Sequence, residues 1–197
     1  DTRFANTNGS SATYVSWNWL AGGSGSSNTD GSITSTVSAN PTAGFSIVSY
    51  TGNATSSQTV GHGLGVAPSL VIVKNRDRIS SWLVRHSSLP ANQTPLLENT
   101  VGYITTNYWE STHPSSTVFT ISSNNEVNAS GEDLIAYCFA EVEGYSKFGS
   151  YTGNGSTDGP FVYCGFRPAW IMIKVTNVST TAWMIRDTGR NPYNIAT

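Results

Sequence analysis

Charge is what this chain of 197 residues has least of. Asp, Glu, Lys and Arg together make up 11% of it, against roughly a quarter in an ordinary globular protein. Lysine is confined to Lys74, Lys147 and Lys174, and the net charge is −2. That balance leaves no electrostatic footprint for nucleic acid or an anionic membrane. Long apolar runs are missing too: none approaches the roughly 18 residues of a membrane-crossing helix, so membrane insertion is not expected. Cysteine is limited to Cys138 and Cys164. The two either form a disulfide, which would need an oxidising compartment, or sit as small buried hydrophobes on strands. Histidine occurs at 62, 86 and 113, never at a metal-ligand spacing, so neither a metal, a cofactor nor a catalytic histidine is expected. The chain begins at Asp1 without a Met or a signal sequence, as a segment cut from a precursor or lying within a longer protein would.

Helical periodicity is almost absent. In its place run short β-branched and aromatic stretches that alternate with small polar residues: FSIVSY (45–50), SLVIVK (69–74), SWLVRH (81–86), TVFTIS (117–122), LIAYCFAEV (134–142), PFVYCGF (160–166), AWIMIK (169–174) and AWMIRD (182–187). Thr-Gly-Asn at 51–53 and 152–154, and Asp-Gly at 30–31 and 158–159, supply turn chemistry between them. Many short strands with such punctuation predict an all-β fold, a sandwich or barrel.

An internal repeat organises these strands. GFSIVSYTGN from Gly44 returns as GYSKFGSYTGN from Gly144, PSLVIVK (68–74) as PAWIMIK (168–174), and SWLVR (81–85) as AWMIR (182–186). The step is 100 residues from Lys74 to Lys174 and 101 from Trp82 to Trp183, the size of one immunoglobulin-like sandwich. A further match sets Val15, Trp17 and Trp19 of YVSWNW (14–19) against Ile135, Tyr137 and Phe139 of LIAYCF (134–139). Side chains two apart share a strand face, so 134–142 reads as the final strand of a unit and 14–19 as a copy of it. The expected organisation is a donor-like strand segment (1–21), a Gly/Ser/Thr-rich linker with a short strand (22–43), a complete β-sandwich unit (44–143) and an incomplete second unit (144–197).

The stretch VGHGLGVAP (60–68) followed by LVIVKNRD, together with IAYCFAEVEGYSKFGSYTGNG (135–155), resembles repeats in tail-fibre and other virion-associated proteins of tailed phages. The resemblance covers nearly the whole chain. It implies a β-rich structural role outside the cell and carries over no activity or ligand.

Candidate sites follow from these readings. Tyr14, Val15, Trp17 and Trp19 form the donor strand. Phe148, Tyr151, Phe161, Tyr163, Trp170, Met172, Trp183 and Ile185 form the unit that accepts it. An incomplete unit exposes an unpaired edge, a template for another chain, so the expected partner is a second copy of this protein in a head-to-tail filament. The alternatives are a piece of a covalent tandem-repeat fibre and a carbohydrate-binding or carbohydrate-active fibre module. For the last, Tyr103, Tyr108 and Trp109 beside several asparagines are the candidate contacts to a cell-surface glycan. Asn8, Asn53, Asn92, Asn128, Asn154 and Asn177 each begin an N-x-S/T sequon, in a composition that would generate some by itself. Glu141 and Glu143, about 7 Å apart on one strand face, are the nearest thing to a hydrolytic carboxylate pair. The matching N-terminal WLAG has no acid, and a solvated strand end accounts for them. Gly61, Gly63 and Gly65 precede a strand rather than a helix, which makes them a turn and not a phosphate loop.

Overall fold

The structure, a computed structural model, describes residues 9–189. The fold is all-β, with one four-residue helix. The strands are β1 (Ser26–Asn28), β2 (Ser35–Asn40), β3 (Phe45–Thr51), β4 (Gln58–Gly61), β5 (Leu70–Asn75), β6 (Leu83–His86), β7 (Gln93–Thr94), β8 (Ile104–Thr105), β9 (Val118–Ile121), β10 (Asp133–Phe139), β11 (Trp170–Ile173) and β12 (Met184–Asp187). Six of them form one antiparallel sheet in the order β1-β2-β3-β10-β5-β6. Two-residue alternation decides its faces. Leu134, Ala136 and Cys138 of β10 point inward with Val48 and Tyr50 of β3 and Val71 and Val73 of β5, all buried. Ile135, Tyr137 and Phe139 point the other way and are half-buried.

The inner face is closed by a second layer: the pairs β4-β9 and β7-β8 and the connections around them. Val60, Leu64, Leu96, Trp109, Phe119, Ile121 and Val127 meet the sheet there. Two of the buried polar groups in this core are matched. The Tyr50 hydroxyl donates to the Val127 carbonyl at 2.8 Å, and the Trp109 indole N–H to Thr94 Oγ1 at 2.9 Å. The short helix α1 (Asn125–Asn128) is capped by Asn124, whose side chain accepts from Glu126 N.

Two expectations change, and the choice left open for the cysteines is decided. The 22–43 segment is not a linker. It supplies β1 and β2, and Ile33 and Val37 enter the core, because Ser35, Val37 and Ala39 alternate inward along β2 while its backbone pairs with β3. No strand forms at 14–19 or at 160–166. Both cysteines are free: Cys138 is buried on β10, where burial pushes its thiol up to about 12, and Cys164 lies half-buried on an irregular segment.

Candidate functional site

The repeat has a structural counterpart. In the sheet, β5 pairs with β6 through Leu70↔His86, Val71↔Arg85, Ile72↔Val84 and Val73↔Leu83. The hairpin β11-β12 pairs through Trp170↔Asp187, Ile171↔Arg186, Met172↔Ile185 and Ile173↔Met184, the same register carried 100 residues on in the first strand and 101 in the second. Its fixings repeat as well. Lys74 Nζ donates to the Ser80 carbonyl at 2.5 Å and Lys174 Nζ to that of Thr181 at 2.6 Å. Ser87 N donates to Ser69 O at 2.8 Å and Thr188 N to Ala169 O at 3.0 Å. Gly65 and Gly165, which precede the two first strands, both take a positive φ (+74° and +81°), a backbone that glycine adopts without strain.

The surroundings of the two ladders differ. β5 lies between β6 and β10, whereas β11 has β12 on one side and, among the described residues, no strand on the other. The copy of β3, at 145–151, carries no regular strand either. Of the proposed acceptor residues, the hairpin brings together Trp170, Met172 and Ile185, with Trp183 just before β12. Trp183 is tied to the complete unit by its indole N–H, which donates to Leu96 O at 2.9 Å, and Lys174 Nζ stands 5.9 Å from its ring centroid. The remaining four are not gathered there. Phe148 packs toward Phe139 and His86, at 6.3 and 6.4 Å between ring centroids, and Tyr151, Phe161 and Tyr163 are exposed.

The donor residues Tyr14, Val15, Trp17 and Trp19 are all exposed to a third or more of their surface. Trp19 is nevertheless the hub of an aromatic cluster. It meets Phe139 edge-on at 5.8 Å, Phe45 at 6.5 Å and Trp170 edge-on at 5.5 Å. Behind it, Asn40 Nδ2 donates to Leu20 O and Ser38 Oγ to Gly23 O, which fastens the segment after the cluster to β2. The indole Nε1 of Trp170 is buried without a hydrogen-bond partner.

The glycan reading is corrected by burial. Trp109 is 1% exposed and Tyr108 9% exposed, and stacking on a sugar needs a free ring face. Tyr103 alone of the three lies at a surface, half-buried beside a small polar hollow with Thr176 and Asn177. A tryptophan in a long connection reads as a binding residue from sequence; here the connection is the second layer of the core. Asn128 is corrected as a glycosylation site. It is fully buried, its Oδ1 accepts from Asn53 N and its Nδ2 donates to Thr55 O, both at 2.8 Å. Asn53, Asn92, Asn154 and Asn177 are exposed, and Asn8 lies outside the described residues.

The ionisable groups are held in structural contacts. Glu132 accepts from Arg78 and from Asn75 Nδ2, and these bonds keep its carboxyl below the usual range. Glu141 pairs with Lys147 at 2.7 Å. His62 accepts from Leu64 N through Nδ1, and its Nε2 lies 3.2 Å from Ser115 O; burial lowers its pKa. Arg85, 1% exposed, donates to His86 O, Leu89 O and His113 Nδ1, and burial draws its pKa down to about 10. Among the described residues no group of three or more His, Cys, Asp or Glu could hold a metal ion, and no helix is long and apolar enough to cross a membrane.

Comparison with curated proteins and with solved structures returns no match. A family model matches residues 1–197, and the chain therefore belongs to the family described as Domain of unknown function (DUF7483).

Proposed function

We propose that this protein is a structural, non-enzymatic subunit of an extracellular fibre, in which residues 11–20 of one protomer complete the C-terminal half-unit of another. The reading rests on one observation. β11-β12 repeats the register of β5-β6, the neighbouring place that β10 takes beside β5 holds no strand beside β11 among the described residues, and a sequence copy of β10 lies at 14–19. The resemblance to phage fibre repeats is in keeping with it. A contact between unlike surfaces of two copies grows an open filament wherever its rotation does not close a ring.

Magnitudes favour the backbone as the main source of specificity. Val15, Trp17 and Trp19 are 51%, 37% and 40% exposed, so covering what remains contributes on the order of 1 kcal/mol each, below the 1.5–3 of full burial. The ladder adds about 0.5–1.5 kcal/mol per net hydrogen bond and dictates register. A covalent tandem array is the second reading, favoured by the complete unit, which draws β10 from its own chain.

The test compares the full chain with one lacking residues 1–18, a cut that leaves Trp19 over Phe45 and Phe139. Electron microscopy and sedimentation should show filaments for the full chain, none for the shortened one, and capped, shorter filaments when a peptide of residues 11–20 is added in excess. Equal sedimentation of both chains as monomers would remove strand exchange and leave the covalent array.

A further inference from the structure

In the complete unit the closing strand is not a rim strand. β10 lies between β3 and β5 and joins them in the sheet, with Phe139 opposite both Phe45 and Leu70. Take β10 away and the sheet falls into β1-β2-β3 and the hairpin β5-β6. The C-terminal half-unit keeps one of these two parts: its β5-β6 copy is a formed hairpin, while its β3 copy at 145–151 carries no regular strand.

We propose, on the basis of the strand-donation reading above, that residues 14–19 enter at the centre of the half-unit. The donated strand runs antiparallel to β11, with Trp19 opposite Trp170, Trp17 opposite Met172 and Val15 opposite Lys174, and segment 145–151 then orders as a third strand along its far side. The acceptor is therefore a single formed edge plus a segment that folds on the arriving strand, rather than a ready-made groove.

Three observations carry the register. The repeat alignment sends Phe139↔Leu70, Tyr137↔Ile72 and Ile135↔Lys74 onto these three pairs. Within one chain Trp19 and Trp170 touch at 5.5 Å, which shows that the two rings of the first pair pack as neighbours. Tyr137 stacks on Trp82 at 6.3 Å with 23° between the planes, and the same positions in the half-unit are Trp17 and Trp183, two larger rings for the same stack. At this edge the buried Nε1 of Trp170 has no acceptor, a donor that costs about 1–3 kcal/mol until it is matched. Segment 145–151 makes only an isolated bridge, Ser146 to Val142, which leaves the rest of its backbone for the arriving strand. Its seven residues answer to the six from Phe45 to Tyr50, the extra position falling between Lys147 and Ser150, which makes a β-bulge the expected form of the third strand.

The test uses the full chain with Cys164→Ser, so that only buried Cys138 remains of the native thiols. Into it go the pairs N18C with I171C, equivalent to Cys138↔Val71, and N18C with I173C, which is out of register by two. On mild oxidation with oxidised glutathione, the first pair should link protomers into a covalent ladder on a non-reducing gel and the second should not. Amide exchange in 145–151 should slow about tenfold or more on assembly, the effect of one net backbone hydrogen bond per residue. Filaments that link only through the second pair, or whose 145–151 amides exchange as fast as in the free chain, would overturn central insertion and leave strand donation standing. A bond formed within single chains would uphold the register and overturn donation between copies. Neither bond nor filament would overturn both.

Discussion

The two hairpins of this protein are the same ladder in two environments. In β5-β6, Val71 and Leu83 are fully buried; their counterparts in β11-β12, Ile171 and Met184, are 42% and 44% exposed. Arg85 is enclosed and held by three acceptors, whereas Arg186, one repeat on, faces solvent. Local sequence sets the hairpin and its register in both cases. What separates them is the second layer, which the complete unit assembles from the segments before and after its hairpin. The surroundings of the second hairpin depart most where that layer would be. Gly61 sits so close to Asn28 that a Cβ would fall 1.7 Å from its Oδ1, while Phe161 replaces it one repeat later and is 90% exposed. A ladder can therefore form without a core, and a core cannot form without the distant segments that cover the ladder.

This comparison can be broken in several ways. The largest effect should come from emptying the covered side. Phe119→Ala is expected to cost about 3–5 kcal/mol, read by urea unfolding, against less than about 1 for Met184→Ala on the exposed side. Similar costs at the two positions would mean that the hairpin has a core of its own.

A smaller contrast lies at the paired glycines before β3 and its copy. Gly44 has φ +65° and a Cβ there would meet the Ala140 carbonyl oxygen at 2.5 Å; Gly144 has φ +73° with open space around it. Gly44→Ala should lower stability by about 2–3 kcal/mol and Gly144→Ala by about 1 or less, the backbone cost alone. Equal losses would show the half-unit to be as tightly closed as the complete one. Trp19→Ala sharpens the comparison at the point where the two halves touch. It removes the ring contacts to Phe45, Phe139 and Trp170 and should cost about 1–2 kcal/mol for a side chain that is partly exposed, with a loss of near-ultraviolet circular dichroism from the tryptophans.

The smallest effect is acidification, and its sign is determined. His62, His86 and His113 all have pKa values lowered by burial, the last two also by the charge of Arg85. The folded chain thus binds fewer protons than the unfolded one just below about pH 6.5. Their contribution is complete above that value and is lost as the pH falls through the lowered folded pKa values. Glu132, held low by Arg78 and Asn75, adds a loss of the same sign at more acid pH. The melting temperature of the complete unit should fall between about pH 7.5 and 5.5, while the signal from Trp170 and Trp183 stays level, since no histidine follows His113. A flat melting temperature would show the histidines to be accessible to protons in the folded state.

The all-β fold, the strands at 45–51, 70–75, 83–86, 118–121 and 133–139, and both copies of the hairpin were legible in the residues, because period-two alternation and turn chemistry are local properties. The candidate site was legible in part: Trp170, Met172, Trp183 and Ile185 do share one hairpin, while Phe148 turns to the complete unit. Segment 22–43 was misread because serine, threonine and glycine resemble a linker, although its strand needs only Val37 and a backbone partner in β3 to hold. Trp109 was misread because a long irregular connection gives no sign in its own sequence that it will fold back over a sheet.

Alternation by itself determined which residues lie on the same side of each strand, and the repeat determined which strands are copies. Only the tertiary structure decided which of the two sides is the inside and that β10 stands at the centre of the sheet. A strand presents two faces with equal period, and the one that loses its water is chosen by segments far away in the chain.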